Sequence, residues 1–333
     1  MSEKILDIKE ERLSFFTPAG EVKALNGVSF TMNQGDVLGV VGESGSGKSV
    51  TAYSVMGLTA YPGKLVGGKV WFNGHEIENM KEKDFRKIRG NEVSIIFQDP
   101  MTSLNPVYTI GNQIVEVIRL HTDKNKADAW ARAKELLELV GINEPEKRLK
   151  QYPHELSGGM RQRVMIAIAL ACEPKLLIAD EPTTALDVTI QAQILELMQD
   201  LRKKLGMSII MITHDLGVVA QMCEKIAVMY AGHIVEYGTT DEIFYQPGHE
   251  YTKGLINSIP KLNTAEHERL VPIEGTPVDL LNPPAGCPFA PRCKNCMKIC
   301  LSEMPPRTEL SDTHYTYCWL QQKAAFEKGE KAE

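Results

Sequence analysis

The chain has 333 residues, a length that predicts about two domains, and its 43% hydrophobic and 24% charged residues are typical of a globular protein. Its net charge of −6 argues against a dedicated nucleic-acid binder, which is usually basic. Charges at residues 1–7 argue against a signal peptide, and the longest apolar run, Val164–Cys172, is too short to span a membrane. We therefore expect a cytosolic protein that reaches a membrane only through partners.

Strands and helices are predicted to alternate along most of the chain. A turn at 17–20 separates predicted strands at 5–16 and 22–32, and the apolar run at 36–41 predicts a buried strand. Helical periodicity begins near Asp128 and stops at Gly141, since glycine ends helices. The other predicted elements are strands at 68–72, 93–97, 176–179 and 207–213, and helices at 49–58, 160–172 and 191–205. This alternation predicts an α/β fold with a parallel sheet.

Residues 42–49 read Gly-Glu-Ser-Gly-Ser-Gly-Lys-Ser, a complete phosphate-binding loop of the form G-x-x-x-x-G-K-[ST]. Gly42, Gly45 and Gly47 let the backbone approach a phosphate closely, and successive N–H groups with the next helix N-terminus can bind the anion. We expect Lys48 to reach the β- and γ-phosphates and the Ser49 hydroxyl to bind Mg²⁺. The segment therefore predicts binding of a nucleoside triphosphate.

Polar residues follow other predicted strands. Asp180 and Glu181 directly follow the predicted apolar strand at 176–179. Asp180 is expected to bind Mg²⁺, directly or through water, and Glu181 to orient or deprotonate the attacking water. Gln98 could sense Mg²⁺ and the γ-phosphate, and His214 could contact the γ-phosphate and the water. Taken alone, Gln98 or His214 could instead be a solvated polar residue at a strand end.

A second anion-binding N-terminus is predicted where Ser157-Gly158-Gly159 precedes a helix. One ATP cannot occupy two such sites in a single compact fold. The second site therefore suggests a nucleotide site shared across a dimer.

These motifs together resemble those of the ATPase subunits of ABC transporters. L-S-G-G-M-R-Q-R at Leu156–Arg163 is similar to the family's signature motif, which closes over ATP bound by the opposite subunit. The resemblance covers about residues 5–255 and includes the phosphate loop, Gln98 of the Q-loop, the Asp180-Glu181 pair, Ala185-Leu186-Asp187 of the D-loop and the switch His214. It implies an α/β P-loop NTPase of the ABC ATPase type, with an N-terminal antiparallel β region and an inserted helical subdomain at about 98–165.

The resemblance also implies roles for individual residues. Phe16 is the expected aromatic that stacks on adenine, with Phe15 as the alternative, and both could instead be core residues. The implied catalytic residues are Glu181, His214 and Gln98, and the implied Mg²⁺ ligands are Ser49, Gln98 and Asp180. The residues expected to bind ATP are Phe16, Gly42, Ser44, Gly45, Gly47, Lys48, Ser49, Val50, Gln98, Asp180, Ser157, Gly159 and Asp187.

Two segments, 98–106 and 152–157, look like the dipeptide/oligopeptide branch of ABC importers. In that branch the helical region between Gln98 and Ser157 receives a coupling helix of the membrane permease. The resemblance thus implies a peripheral subunit at the cytoplasmic face of the cell membrane. Its implied partners are a second ABC ATPase subunit, two integral membrane permeases and, through them, an external peptide-binding protein. A heterodimer with a related ATPase is favoured over a homodimer, and no nucleic-acid partner is expected.

The resemblance implies that ATP hydrolysis powers import of dipeptides or oligopeptides. Nickel and oligosaccharides stay open as cargo within this branch, because the ATPase does not touch the cargo. A soluble ABC-type ATPase acting on DNA or ribosomes is disfavoured, since neither a long coiled-coil insertion nor a second cassette is evident. A purely regulatory redox sensor would leave the catalytic motifs unexplained.

Five of the seven cysteines lie between Cys287 and Cys318, which in a reducing cytosol predicts a metal site rather than disulfides. Four thiolates could hold Zn²⁺ or an iron–sulfur cluster, and their spacing does not decide between them. The segment resembles the C-terminal extension of dipeptide-importer ATPases. That resemblance implies a [4Fe–4S] cluster on four cysteines: Cys287, Cys293, Cys300 and Cys318.

Cys296 departs from this pattern and could replace one ligand, and reduced thiols without metal are a further alternative. We expect an ATPase domain at 1–258 and a Cys-rich metal or iron–sulfur domain at 259–333. The cluster is expected to stabilise this small Pro-rich segment rather than to carry electrons, because the segment has few apolar residues for its own core.

Overall fold

The computed structural model describes residues 3–184, 186–259 and 272–322. They form two compact units. The first unit lies within Met1–Leu6, Met32–Val37 and Asn73–Ile212, and the second lies within Asp7–Thr31, Leu38–Phe72 and Thr213–Glu333.

The strands are β1 Lys4–Thr17, β2 Gly20–Asn33, β3 Val37–Val41, β4 Gly63–Phe72, β5 His75–Glu76, β6 Val93–Ile96, β7 Leu176–Asp180, β8 Ser208–Thr213, β9 Lys225–Tyr230, β10 His233–Thr239, β11 Thr308–Glu309 and β12 Tyr315–Thr316. The helices are α1 Lys48–Val55, α2 Glu82–Ile88, α3 Pro100–Ser103, α4 Ile110–His121, α5 Lys126–Leu139, α6 Pro145–Arg148, α7 Gly158–Ala169, α8 Val188–Leu205, α9 Leu216–Met222, α10 Thr240–Tyr245, α11 Glu250–Asn257 and α12 Lys298–Ser302. Short 3₁₀ helices lie at Pro153–Glu155 and Ala290–Arg292.

The first unit contains neighbouring parallel strands. β6 pairs with β7 and β7 with β8, so that Ile96 lies opposite Ala179 and Asp180 opposite Ile212. Every residue of β7 and β8 is buried, as expected for apolar strands covered on both faces. Because the carboxyl ends of parallel strands meet at one edge, the residues that follow β6 and β7 come close together.

Helices of the first unit pack on one another through periodic apolar faces. α4 buries Ile110, Ile114 and Ile118, and it packs on α5 and α7. α5 contributes Ala133 and Leu136, which lie on its buried face. The helices α3 to α7 occupy the range in which the sequence predicts an inserted helical subdomain.

The second unit begins with the predicted antiparallel β region. Only Pro18 and Ala19 separate β1 from β2, a connection that joins antiparallel strands, and β4 lies on the other side of β1. In the same unit β3, the strand that leads into the phosphate loop, pairs in parallel with β9. β9 then pairs antiparallel with β10.

The C-terminal region adds strands beside β10. β12 pairs antiparallel with β10, placing Tyr315 opposite Tyr237, and β11 pairs with β12. The fully buried Glu236 of β10 accepts hydrogen bonds from the backbone N–H groups of Gly248 and His249, and its Oε1 lies 2.7 Å from Nε2 of His314. Residues on both sides of the predicted domain boundary at 258/259 thus pack together, and that boundary stays a prediction.

Most predicted strands and helices are present, with shifted ends. α7 and α8 begin at Gly158 and Val188, before the predicted starts at 160 and 191, because Ser157 and Asp187 cap them. Within the described residues, no helix combines the length and apolar character needed to cross a membrane.

Candidate active site

The phosphate loop between β3 and α1 is a tight backbone turn. Gly42 has φ of 153° and Gly47 has φ of 102°, values that other residues rarely adopt. A Cβ at Gly42 would lie 2.2 Å from the carbonyl oxygen of Met229, so no side chain fits there. The sequence prediction of a close backbone approach agrees with this geometry.

Lys48, the first residue of α1, is buried and reaches back over the loop. Its Nζ donates hydrogen bonds to the carbonyl oxygens of Gly42 at 2.8 Å and Glu43 at 2.9 Å. The ammonium group is therefore positioned by the same backbone that would cradle phosphates. Ser49 and Val50 follow in the first turn of α1, and Ser44 and Gly45 are exposed at the tip of the loop.

The two candidate adenine-stacking residues differ in exposure. The Phe16 ring is 45% exposed, and Nζ of Lys64 lies 5.9 Å from its centroid. Phe15 is half-buried, and a Cβ at Gly63 would lie 2.7 Å from its ring. An open aromatic face is what base stacking needs, so the geometry favours Phe16.

Glu181, immediately after β7, has a constrained position. Its φ of 48° is uncommon for a residue with a side chain, and its N–H donates to the carbonyl oxygen of Ile212 at 2.8 Å. Such backbone conformations persist where the surrounding structure enforces them, often at functional sites. Asp180, which precedes it, is buried.

The structure brings Gln98 and Glu181 together. Nε2 of Gln98 donates to Oε2 of Glu181 at 2.8 Å, and Oγ1 of Thr184 donates to the same oxygen at 3.0 Å. Gln98 follows β6 and Glu181 follows β7, so the parallel register explains their proximity. Sequence reasoning missed Thr184, although it lies only three positions after Glu181.

The signature segment forms the N-terminus of α7. Ser157 is the N-cap, and its side chain accepts a hydrogen bond from the N–H of Met160 at 3.4 Å. Ser157 and Gly158 are exposed, whereas Gly159 lies against α8: a Cβ there would be 2.9 Å from Cγ2 of Ile190. The helix N-terminus that the sequence predicts is thus present and accessible, and its binding of an anion stays a prediction.

The predicted D-loop residue Asp187 caps α8, accepting a hydrogen bond from the N–H of Ile190 at 2.9 Å. Ala185, the first residue of that motif, lies outside the described residues. In the second unit, His214 is exposed between β8 and α9. Next to it, the Asp215 side chain caps α9 by accepting from the N–H of Gly217 at 2.8 Å.

The four predicted ligand cysteines line one cavity of about 20 Å³ in the second unit: Cys287, Cys293, Cys300 and Cys318. Cys296 is exposed and lies outside that lining. In the described part of the chain, no three His, Cys, Asp or Glu side chains lie close enough to form a metal site as they stand. The cavity therefore gathers the predicted thiols without closing them into a ligand set.

Burial raises the pKa of three of these thiols. It raises the pKa of Cys287 to about 12 and that of Cys293 to about 11, and it also raises the pKa of Cys318. Thiols with a raised pKa keep their protons at neutral pH unless a bound metal cation displaces those protons. Four cysteine thiolates are, by their chemistry, suitable ligands for either zinc or an iron–sulfur cluster, although the side chains are not drawn together into such a site within the described residues.

Comparison with known proteins assigns the chain to a family. Residues 25–184 match the ABC transporter family, and residues 235–300 match the oligopeptide/dipeptide transporter, C-terminal region. The chain is 57% identical to the oligopeptide transport ATP-binding protein OppD of Bacillus subtilis (strain 168), over 95% of this chain and 89% of that protein. The chain belongs to the ABC transporter ATP-binding proteins. It is also 52% identical to the dipeptide transport ATP-binding protein DppD of the same strain, over 97% of this chain and 96% of that protein.

Solved structures confirm the predicted fold class. The dimeric ATP-binding cassette MJ0796 bound to ADP and Pi is 26% identical and matches 71% of this chain and 99% of its own, with a TM-score of 0.64. CbiO1 from Clostridium perfringens is 28% identical and matches 74% of this chain and 92% of its own, with a TM-score of 0.63. The chain is accordingly an ABC-type ATPase coupled to transport that uses ATP and Mg²⁺. The roles of its individual site residues stay predictions.

Proposed function

We propose that this ATPase works at the cytoplasmic face of the membrane and drives import of oligopeptides or dipeptides. The observation that carries the proposal is the extent of the similarity. It includes the ATPase motifs and continues through the C-terminal region that is described for oligopeptide/dipeptide transporters. Relatives named for oligopeptide and dipeptide transport match at least 95% of the chain.

Hydrolysis is proposed to depend on a carboxylate held in place. Gln98 and Thr184 both donate to Oε2 of Glu181, which fixes the orientation of that carboxylate. A fixed carboxylate can position the attacking water and accept its proton. Lys48 and the loop N–H groups hold the phosphates, and the proposed Mg²⁺ ligands are Ser49, Gln98 and Asp180. Mg²⁺ neutralises charge that develops on the phosphoryl oxygens.

A second ATPase subunit is proposed to complete each nucleotide site. The N-terminus of α7, with Ser157 and Gly158 exposed, can donate N–H groups to phosphates of ATP bound by the opposite subunit. We favour a heterodimer with a related ATPase. If the purified chain alone formed a stable ATP-dependent homodimer, the heterodimer proposal would be weakened.

The permease partners are proposed to dock on the helical region of the first unit. Between Gln98 and Ser157 this region exposes apolar side chains: Met101 is 63% exposed, Val107 is 73% exposed and Tyr108 is 54% exposed. A coupling helix from each of two integral membrane permeases could cover such a surface. An external peptide-binding protein would reach this chain only through those permeases.

The C-terminal cysteines are proposed to hold a [4Fe–4S] cluster within a domain at 259–333. Support comes from the cavity, since its lining includes the four cysteines that the family resemblance implied and leaves out Cys296. The cluster would supply cross-links that a small segment with few core residues lacks. Zinc on the same thiols is the alternative.

Uptake assays in cells that lack the gene test the cargo class. Restoring the chain should restore uptake of a labelled dipeptide or tetrapeptide, whereas uptake of labelled nickel or maltotriose should not change. Uptake restored only for nickel or for the oligosaccharide would contradict peptide import. Cells that carry the chain with Lys48→Ala provide the matched control, because the protein is present but its phosphate contact is lost.

A further inference from the structure

The second residue of the phosphate loop, Glu43, is held from the C-terminal half of the chain. The Arg292 guanidinium forms a two-pronged ion pair with its carboxylate, at 2.5 Å to Oε2 and 3.0 Å to Oε1. The backbone N–H of Glu43 also donates to Oη of Tyr251 at 2.8 Å. Side chain and backbone of one loop residue are therefore fixed by residues more than 200 positions away in sequence.

Arg292 is itself immobilised. Its side chain is only 4% exposed, and it donates to the carbonyl oxygens of Glu274 at 2.9 Å and Ile273 at 3.2 Å. The hydrogen bond to Glu43 is the main reason that the pKa of Arg292 is raised. Buried, two-pronged arginine–carboxylate pairs fix geometry as well as charge, unlike exposed pairs between flexible side chains.

The position of Glu43 matters for ATP because of Lys48. The Glu43 carbonyl accepts one of the hydrogen bonds from Lys48 Nζ, and the Gly42 carbonyl accepts the other. Moving the Glu43 backbone would therefore move the ammonium group that is to meet the phosphates. The contacts on Glu43 therefore affect nucleotide binding through the position of the Lys48 ammonium group.

The two residues that hold Glu43, Arg292 and Tyr251, each adjoin a residue that lines the cysteine cavity. Arg292 directly precedes Cys293, and Phe289 lines the cavity. The Phe289 ring packs on Tyr251, with centroids 5.3 Å apart, and edge-on against Tyr230 at 5.4 Å. The cysteine segment, residues 286–300, and the phosphate loop thus share one packed aromatic cluster.

We propose that Arg292 is a positioning residue for ATP binding, which holds the phosphate loop through Glu43 and couples nucleotide affinity to the folded cysteine segment. A purely structural role would attach the segment to the ATPase without affecting the nucleotide. The proposal does not depend on which metal the four thiols hold, because the contacts form between protein groups alone.

The test measures the dissociation constant of a fluorescent, non-hydrolysable ATP analogue with Mg²⁺ in the full chain. Arg292→Gln and Glu43→Gln should each weaken binding by about 10-fold, within the range typical of coupling between sites. The double variant should bind no more weakly than either single variant, since both substitutions remove one shared interaction. Arg292→Lys should fall between wild type and Arg292→Gln, because lysine keeps the charge but not the fork.

Lys294→Gln is the matched control. Lys294 is near Arg292 in sequence but forms an exposed ion pair with Glu274, so its loss should leave the dissociation constant unchanged. Tyr251→Phe, which removes only the hydroxyl that accepts from Glu43, provides a second variant if Arg292→Gln does not fold. Wild-type affinity in Arg292→Gln and in Tyr251→Phe, with only a lowered thermal midpoint, would overturn the proposal.

Reciprocity provides an independent measurement. If the segment strengthens nucleotide binding, saturating nucleotide must stabilise the segment by the same factor. In a Cys296→Ser background, which removes the exposed thiol, nucleotide should slow thiol labelling of the segment, and Arg292→Gln should abolish that protection. A labelling rate that nucleotide does not change would contradict the coupling.

Discussion

Glu181 illustrates how the fold fixes the orientation of a residue that is proposed to act as the catalytic base. Its left-handed backbone conformation and the two side-chain hydrogen bonds on Oε2 leave the carboxylate little freedom. A carboxylate that is already oriented does not have to reorganise when water attacks, and this favours catalysis.

Replacing Glu181 by glutamine tests that role. Glu181→Gln keeps the shape but cannot accept a proton, so we expect ATP turnover to fall on the order of 10²-fold or more while ATP binding persists. Steady-state phosphate release and nucleotide titration measure the two quantities. Glu196→Gln, an exposed substitution on α8, serves as the control. Near-normal turnover in Glu181→Gln would count against Glu181 as the base.

The phosphate loop gives a second prediction at the residue scale. A Cβ at Gly42 would meet the Met229 carbonyl oxygen at 2.2 Å, whereas nothing lies within 4 Å of one at Gly45. Both glycines have positive φ, so Gly45→Ala imposes backbone strain alone. We expect Gly42→Ala to abolish ATP binding and Gly45→Ala to weaken it less. Equal losses in a nucleotide titration would show that the Met229 contact is not what excludes a side chain.

At the scale of single elements, helix α10 is held by a half-buried cap. Oε2 of Glu242 accepts from the N–H and the hydroxyl of Thr239, each at 2.8 Å, while Oε1 accepts from Ser311 and Thr313 of the C-terminal region. Burial acts to raise the pKa of Glu242, but these hydrogen bonds outweigh it and lower the pKa from 4.5 to about 2.

This cap predicts an acid-sensitive contribution to stability. A carboxyl with a lowered folded-state pKa stabilises fully above its unfolded pKa of 4.5 and loses that contribution as pH falls toward about 2. Glu242→Gln should therefore be less stable than wild type at pH 6, and the difference should shrink between pH 5 and pH 3. Urea unfolding at each pH measures it. A difference that stays constant with pH would contradict the assignment.

The elements also show what the sequence could predict. Apolar runs predicted β3, β7 and β8, and the glycine and Ser-Gly-Gly signals predicted the loop and the start of α7. The sequence analysis did not predict β9, β10 or the amphipathic helix α4. The pairing of Glu43 with Arg292 lay beyond sequence reasoning, because a contact across 249 positions depends on the tertiary fold.

The C-terminal cysteines give a prediction about composition. Cys296 is exposed and lies outside the cavity, whereas Cys300 is buried and lines it. In anaerobically purified protein we expect about four irons and about four sulfides per chain, which is the content of one [4Fe–4S] cluster. Cys300→Ser should lower the iron content sharply, and Cys296→Ser should leave it near wild type. One bound zinc per chain and no iron would contradict the iron–sulfur cluster. Loss of iron in Cys296→Ser would show that Cys296 is one of the ligands.

At the scale of the whole molecule, the chain is proposed to be one subunit of a transporter complex. Its phosphate loop and its signature helix are each proposed to provide one side of a nucleotide site, and the other side is proposed to come from a second ATPase. The exposed apolar residues near Met101 are proposed to receive permeases. Hydrolysis by this chain should therefore matter for transport and not only for ATP turnover.

The most direct test is ATP-dependent uptake of a labelled peptide into reconstituted vesicles that hold the complete transporter with its ATPase subunits and ATP on the inside. Such uptake should require this chain and should fall to background when the chain carries Glu181→Gln, although the assembled complex still binds ATP. Uptake that continues at the wild-type rate with Glu181→Gln, or without the chain, would contradict its role as the motor of peptide import.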